Sequence, residues 1–204
     1  MRLRRPFQIV RAHLGAYLIL NALLYGLFLL GFAAGLVFPG LSTDRTASLE
    51  ADGTAALVAS LLSTPWLFAL VILGVNVITV GLLSIVLPSL VIPFAGIVVM
   101  AYQAFTLGAT LSPTDDRLWL ALIPHSLTAV IEFQAYVLLS LGAFVLGRSW
   151  LRPATVGVST RRQAYLLGLR QLGWLGLLAL ALLVLGAVYE ALSLRYLVPL
   201  LLRG

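Results

Sequence analysis

His125, Glu132 and Glu190 are the side chains of this sequence best suited to hold or move a proton. All three sit in runs that are otherwise almost wholly apolar, Ile123 to Gln134 and Val188 to Ala191. An ionisable group in hydrocarbon is costly and turns toward a bundle interior, a polar cavity or a partner. His125 and Glu132 are seven residues apart, and a helix drifts only about 20° per heptad, so both lie on one helix face. Asn76 and Gln103 add amides at mid-depth, which gives an intramembrane polar site of Asn76, Gln103, His125, Glu132 and Glu190. In a structural reading, His125 serves the backbone groups freed at Pro124 and Glu132 bonds a neighbouring helix. In a functional reading, the five residues line a pocket that holds or relays a proton. The His/Glu/Glu set has no metal-ligand spacing, so neither a metal nor another cofactor is expected.

Recognisable catalytic arrangements are missing. The sequence has no phosphate-binding Gly-rich loop, no Gly-x-Ser-x-Gly elbow, no His-Glu-x-x-His pair and no dinucleotide fingerprint, so no enzyme activity is expected. His125 and Ser126 are adjacent, which points them in different directions on a helix. With no cysteine there is neither a disulfide framework nor a thiolate nucleophile.

The elements that must position these residues are membrane helices. Of 204 residues, 61% are hydrophobic and only 10% charged, far from the balance of a soluble domain. A spanning helix needs about 20 apolar residues. Runs of that kind predict an all-α polytopic bundle, a single domain with about five spans over 17–38, 66–87, 89–111, 125–146 and 172–192. Pro6 can open a short interfacial helix before the first span. Residues 39–52 read as an outside loop and 55–64 as a short interfacial helix. Pro88 is placed in the turn between the second and third spans. The stretch 118–150 is too long for one straight crossing, and Pro124 is expected to break it into a half-helix over 118–123 and the fourth span. Gly31 and Gly35 form a small-xxx-small ridge, and Gly96, Gly108, Gly142 and Gly147 are further points of close helix approach. Asn21 reads as interhelical hydrogen-bonding glue.

All 13 basic residues are arginine, and nine of them lie in the N-terminal arm (Arg2, Arg4, Arg5, Arg11) or between Arg148 and Arg170. The segment 148–170 reads as a basic loop that ends in an amphipathic helix. Five spans place both basic segments on one side, which the positive-inside rule makes cytoplasmic, with the C-terminus outside. The net charge of +6 therefore reports orientation in a cell membrane, with the lipid bilayer as partner and no nucleic acid expected.

The order of these residues resembles the stage II sporulation protein M family of integral membrane proteins. Asn76 before a glycine-containing hairpin, and Gln103-Ala-Phe-Thr-Leu-Gly108 after it, are similar to the family's asparagine and Asn-Gly-x-x-x-Gly element. Pro124-His125-Ser126 with Glu132, Ala135, Gly142 and Gly147 resembles its Pro-His-Gly, glutamate, alanine and glycine signature. Glu190-Ala191 resembles its closing Glu-Ala motif. The sequence departs from the pattern at Gln103, Ala104 and Ser126, where asparagine, glycine and glycine are usual. The resemblance implies a multi-span membrane component with no catalysis of its own; the namesake assembles with a peptidoglycan-degrading pair during engulfment, and some relatives look like partners of ABC-type exporters. The function expected is thus a non-catalytic subunit or scaffold of a membrane complex, partnered by cell-wall hydrolases or by an ATPase and permease. The alternative is a subunit of an ABC-type export system with a polar intramembrane site. A homo-oligomer is compatible with either.

Overall fold

A computed structural model of the chain describes residues 5–40, 57, 60–61, 63–113 and 116–203. Residues 41–52 of the expected outside loop, half of the residues of the expected 55–64 helix, and Arg2 and Arg4 lie outside the described residues. Every described element is helical. Helix α1 is Arg5–Ala12, α2 is Leu14–Val37, α3 is Pro65–Val91, α4 is Ala95–Thr110, α5 is Asp116–Leu151 and α6 is Arg161–Leu192. A short 3-10 turn, Pro153–Val156, joins α5 to α6, and α7 is Val198–Arg203. Four of these helices, α2, α3, α5 and α6, are long and apolar enough to cross a membrane.

The third expected span is shorter than the hydropathy of 89–111 suggests. At 16 residues α4 is about 24 Å long. Its start is set by Pro93 and not by Pro88, which lies within the last turns of α3. A proline forces the preceding residue out of the helical region, and Ile92 is extended, with φ −125° and ψ 120°. Phe94 then takes a left-handed φ of 67°, closing the turn.

Pro124 does not break the fourth segment, and no separate half-helix over 118–123 exists. Helix α5 runs unbroken for 36 residues, about 54 Å, with Pro124 inside it. Proline is tolerated within a membrane helix when nearby hydroxyls and neighbouring helices serve the freed backbone groups. The Ser126 hydroxyl, two residues beyond Pro124, donates to the Ile123 carbonyl at 2.7 Å, an added tie within this turn of the helix. The basic loop is also shorter than expected. Thr160 caps α6, accepting from the Gln163 amide at 3.3 Å, so the helix begins at Arg161 and runs without interruption into the membrane segment.

Helix α5 is the centre of the bundle. Its apolar window is 67% buried, against 17–33% for the other three long helices. Phe133, Val137, Leu141, Val145 and Leu146 are sealed from the surface. Close approach depends on missing side chains. A Cβ at Gly31 would strike the Phe105 carbonyl and one at Gly108 the Phe28 carbonyl, so α2 and α4 meet backbone to backbone in parallel. Gly96 meets Ile85 and Ser89 of α3, Gly142 meets Leu172, and a Cβ at Gly147 would stand 2.8 Å from the Phe94 ring. These registers make α2 to α6 alternate in direction. One end of the bundle gathers α1, the α3–α4 turn and the α5–α6 connection, where Tyr165 donates to the Leu90 carbonyl at 3.1 Å.

Within α3, Val75–Val86 is wound as a wide π-helix. Five β-branched residues among Val75 to Val80 crowd the turn before them, which makes ordinary α geometry least favourable there. Ser84 Oγ donates to the Thr79 carbonyl five residues back, at 2.8 Å.

Candidate functional site

The two intramembrane carboxyls meet between α3, α5 and α6. Asn76, brought in by the π-helical part of α3, donates its Nδ2 to Glu132 Oε1 at 2.5 Å. His125 Nδ1 lies 3.5 Å from Glu190 Oε1. Helices α5 and α6 are antiparallel, so His125, early in α5, meets Glu190 near the end of α6, and Glu132, further along α5, packs against an earlier part of α6. Gly186 is where Glu132 packs: a Cβ there would stand 3.1 Å from Glu132 Cγ and 3.6 Å from its Oε1. Glu132 and Glu190 are within electrostatic reach of each other, and Tyr136 is within reach of both.

Gln103 does not join them. Its Nε2 donates to Ser84 Oγ at 2.8 Å, while its buried Oε1 has no hydrogen-bond partner among the described residues. The site assembled by the structure is therefore Asn76, His125, Glu132 and Glu190, drawn from three helices. Among the described residues no group of three or more His, Cys, Asp or Glu is placed to hold a metal ion.

A second polar cluster is centred on Gln134 and includes Asn21, the member that the sequence marks as interhelical glue. Gln134 Oε1 accepts from the Tyr17 hydroxyl at 2.7 Å, and its Nε2 donates to Asn21 Oδ1 at 2.8 Å and to the Tyr25 oxygen at 3.0 Å. Tyr25 in turn donates to the Val130 carbonyl at 3.2 Å, and Asn21 Nδ2 to the Tyr17 carbonyl at 2.9 Å. Every hydrogen-bonding position of the Gln134 amide except one oxygen lone pair is used. The available signal was the spacing of Tyr17, Asn21 and Tyr25, four residues apart and so on one face of α2. Glu132 and Gln134, two residues apart, project about 200° from each other around α5 and tie it to opposite sides of the bundle.

At the end of the bundle that holds α1, Arg148, Arg152, Arg161 and Arg162 are exposed, as are Arg5 and Arg11. Arg5 stacks its guanidinium 5.6 Å over the Trp174 ring. Burial, with the Arg148 charge second, holds the His13 imidazole below the usual histidine range.

The carboxylate site can bind helices together or hold a hydrogen-bonded proton. No curated protein and no solved structure matches the chain significantly. A family model described as Stage II sporulation protein M matches residues 18–193, most of the chain, and the chain belongs to that family of membrane proteins.

Proposed function

We infer that this protein is a multi-pass subunit that scaffolds a membrane complex and has no catalytic activity of its own. The observation that carries this reading is how the polar side chains at depth are used. Asn76 and Glu132 pair across two helices, as do His125 and Glu190, and Gln134 binds three residues of α2. Such pairing fixes one arrangement of the helices. It leaves a wide apolar exterior, with Leu30 62%, Leu70 64%, Val98 69% and Leu185 62% exposed, for lipid and for helices of other proteins. The alternating directions of α2 to α6 support five crossings, with the short α4 completed by its flanking turns. The exposed arginines around α1 then face the cytoplasm and the C-terminus lies outside. Affinity purification from native membranes in mild detergent, with mass spectrometry of what co-elutes, tests this. Membrane proteins or cell-wall hydrolases should be recovered, whereas a lone monomer with no crosslinked partner contradicts it.

A second reading, a subunit of an ABC-type export system, is favoured by one feature. The His125 and Glu190 side chains keep 26% and 16% of their surface and are not sealed away. In that reading they border a substrate or proton path, and co-elution of an ATPase and permease is expected. Unchanged transport after both Glu132→Gln and Glu190→Gln would remove it.

A further inference from the structure

The end of the bundle that holds α1 is positive with no counter-charge of its own. The chain has no Asp or Glu before Asp44 and none between Glu132 and Glu190, so no carboxyl belongs to α1, to the α5–α6 connection or to α6 before Glu190. Two of the arginines converge there. Arg5, at the start of α1, holds its guanidinium 5.6 Å over the Trp174 ring. Arg170 precedes Trp174 by one turn of α6 and is exposed on the same face. Trp174 thus has a cation from each of two helices beside it. A cation–π contact holds a guanidinium without using a hydrogen-bond acceptor, and neither arginine has a hydrogen-bond or carboxylate partner among the described residues. Two unbalanced guanidiniums call for an anion with several acceptor oxygens, and the flat guanidinium fork matches a phosphodiester.

The surface next to these arginines decides what carries the anion. The face of α6 that begins with Arg170 and Trp174 continues through Leu177, Ala181 and Val184, all exposed, with Leu177 at 59%. From Trp174 to Val184 is about 15 Å at the helical rise, half of the roughly 30 Å of hydrocarbon in a bilayer. A Cβ at Gly173 would meet nothing within 4 Å, so the ground beside Trp174 is open. Phe7 of α1 is 59% exposed as well. A cationic end followed by apolar surface one leaflet deep fits an anionic amphiphile lying along α6, with the tryptophan at the boundary between its head and its chains. An acidic peptide or a free phosphate would leave that apolar stretch unused.

We propose that Arg5 and Arg170, beside Trp174, bind the phosphate of an anionic phospholipid such as phosphatidylglycerol, whose acyl chains lie along Leu177 and Val184. The site requires α6 to cross the bilayer and is independent of orientation and of complex membership, so a protein purified as a lone monomer would leave it standing. The test is bromine quenching of Trp174 in the full-length chain carrying Trp66→Phe, Trp119→Phe and Trp150→Phe, in phosphatidylcholine vesicles. Phosphatidylglycerol brominated near the head end of its chains should quench about tenfold more effectively per lipid than phosphatidylcholine brominated at the same carbons (about 1.4 kcal/mol). Arg170→Gln should remove most of that preference, and Arg5→Gln gives the same reading from α1 if the first variant fails to fold. Arg161 and Arg162 lie about 12 Å or more back along α6, beyond the screening length of about 8 Å at physiological salt. Arg161→Gln with Arg162→Gln should therefore leave the preference nearly unchanged. Excess inorganic phosphate should leave it in place as well. Equal quenching by the two lipids would overturn the site. An equal loss in the Arg161 and Arg162 variant would replace it with diffuse surface charge, and loss to inorganic phosphate would replace the lipid with a free anion.

Discussion

Removing the amide of Asn76 isolates what the contact with Glu132 contributes. Asn76 is 9% exposed and its Nδ2 is the hydrogen-bond donor the structure gives to Glu132 Oε1, at 2.5 Å. In water-soluble proteins a hydrogen bond to a charged group is worth about 1.5–3 kcal/mol. Within membranes, measured interhelical hydrogen bonds average about 0.6 and reach about 1.7 kcal/mol, because the unfolded chain in the bilayer also finds partners. A short contact to a carboxyl belongs at the upper end of the membrane range, so a coupling of about 1–1.7 kcal/mol is expected. Asn76→Ala, Glu132→Ala and the double variant close a cycle that separates this coupling from the packing each side chain loses. Unfolding by a denaturing detergent titrated into mixed micelles, followed by tryptophan fluorescence, reads the four stabilities. Additivity within about 0.3 kcal/mol would refute the contact as a tie between α3 and α5.

The remaining outcomes follow from other parts of the bundle. Gln134→Leu removes the hydrogen bonds to Tyr17, Asn21 and Tyr25 at once and should cost about 2–4 kcal/mol in the same titration, three bonds at the membrane scale; a loss under about 0.5 kcal/mol would contradict the cluster. Gly108→Leu drives a side chain into the Phe28 backbone and should part α2 from α4, read as lost oxidative crosslinking between cysteines placed at Phe32 and Leu111 on a chain that has none of its own. Cysteines at Arg161 and at Leu201 should label from opposite sides of sealed vesicles, whereas labelling from one side contradicts five crossings. His13 is neutral more readily when folded than when unfolded, so stability should fall as pH drops below its usual value of 6.5, where the unfolded chain takes up the proton first. His13→Gln should flatten that part of the profile, and an unchanged profile would place the sensitivity elsewhere.

What the sequence discloses and what it conceals divide along physical lines. His125, Glu132 and Glu190 are conspicuous because charge is rare in hydrocarbon, and the heptad between the first two places them on one face without any structure. The glycine ridge of Gly31 and Gly35 is likewise local. Its partner, the Gly108 face of α4, is remote in sequence and had to be found in the packing. Gln103 has the same character as Asn76 in the sequence, an amide at mid-depth, yet it bonds Ser84 because α4 approaches another part of α3. Whether Pro124 breaks a helix depends on who serves the freed backbone groups, which hydropathy does not record. Pro88 and Pro93 are equally able to end a helix by residue type. Only the extended backbone at Ile92 and the left-handed Phe94 decide for the second. The Gln134 cluster was partly visible as a four-residue stripe on α2. Its meaning depended on a helix more than 100 positions away.

The proposed role is that of a subunit held in shape by its paired polar residues while its apolar exterior receives partners. Crosslinking in intact native membranes, then native mass spectrometry of the tagged wild type beside Glu132→Leu, addresses it most directly. A heteromeric mass is expected for the wild type, with loss of that assembly in the variant. A wild type that appears only as the bare chain, with the variant indistinguishable from it, would contradict the account.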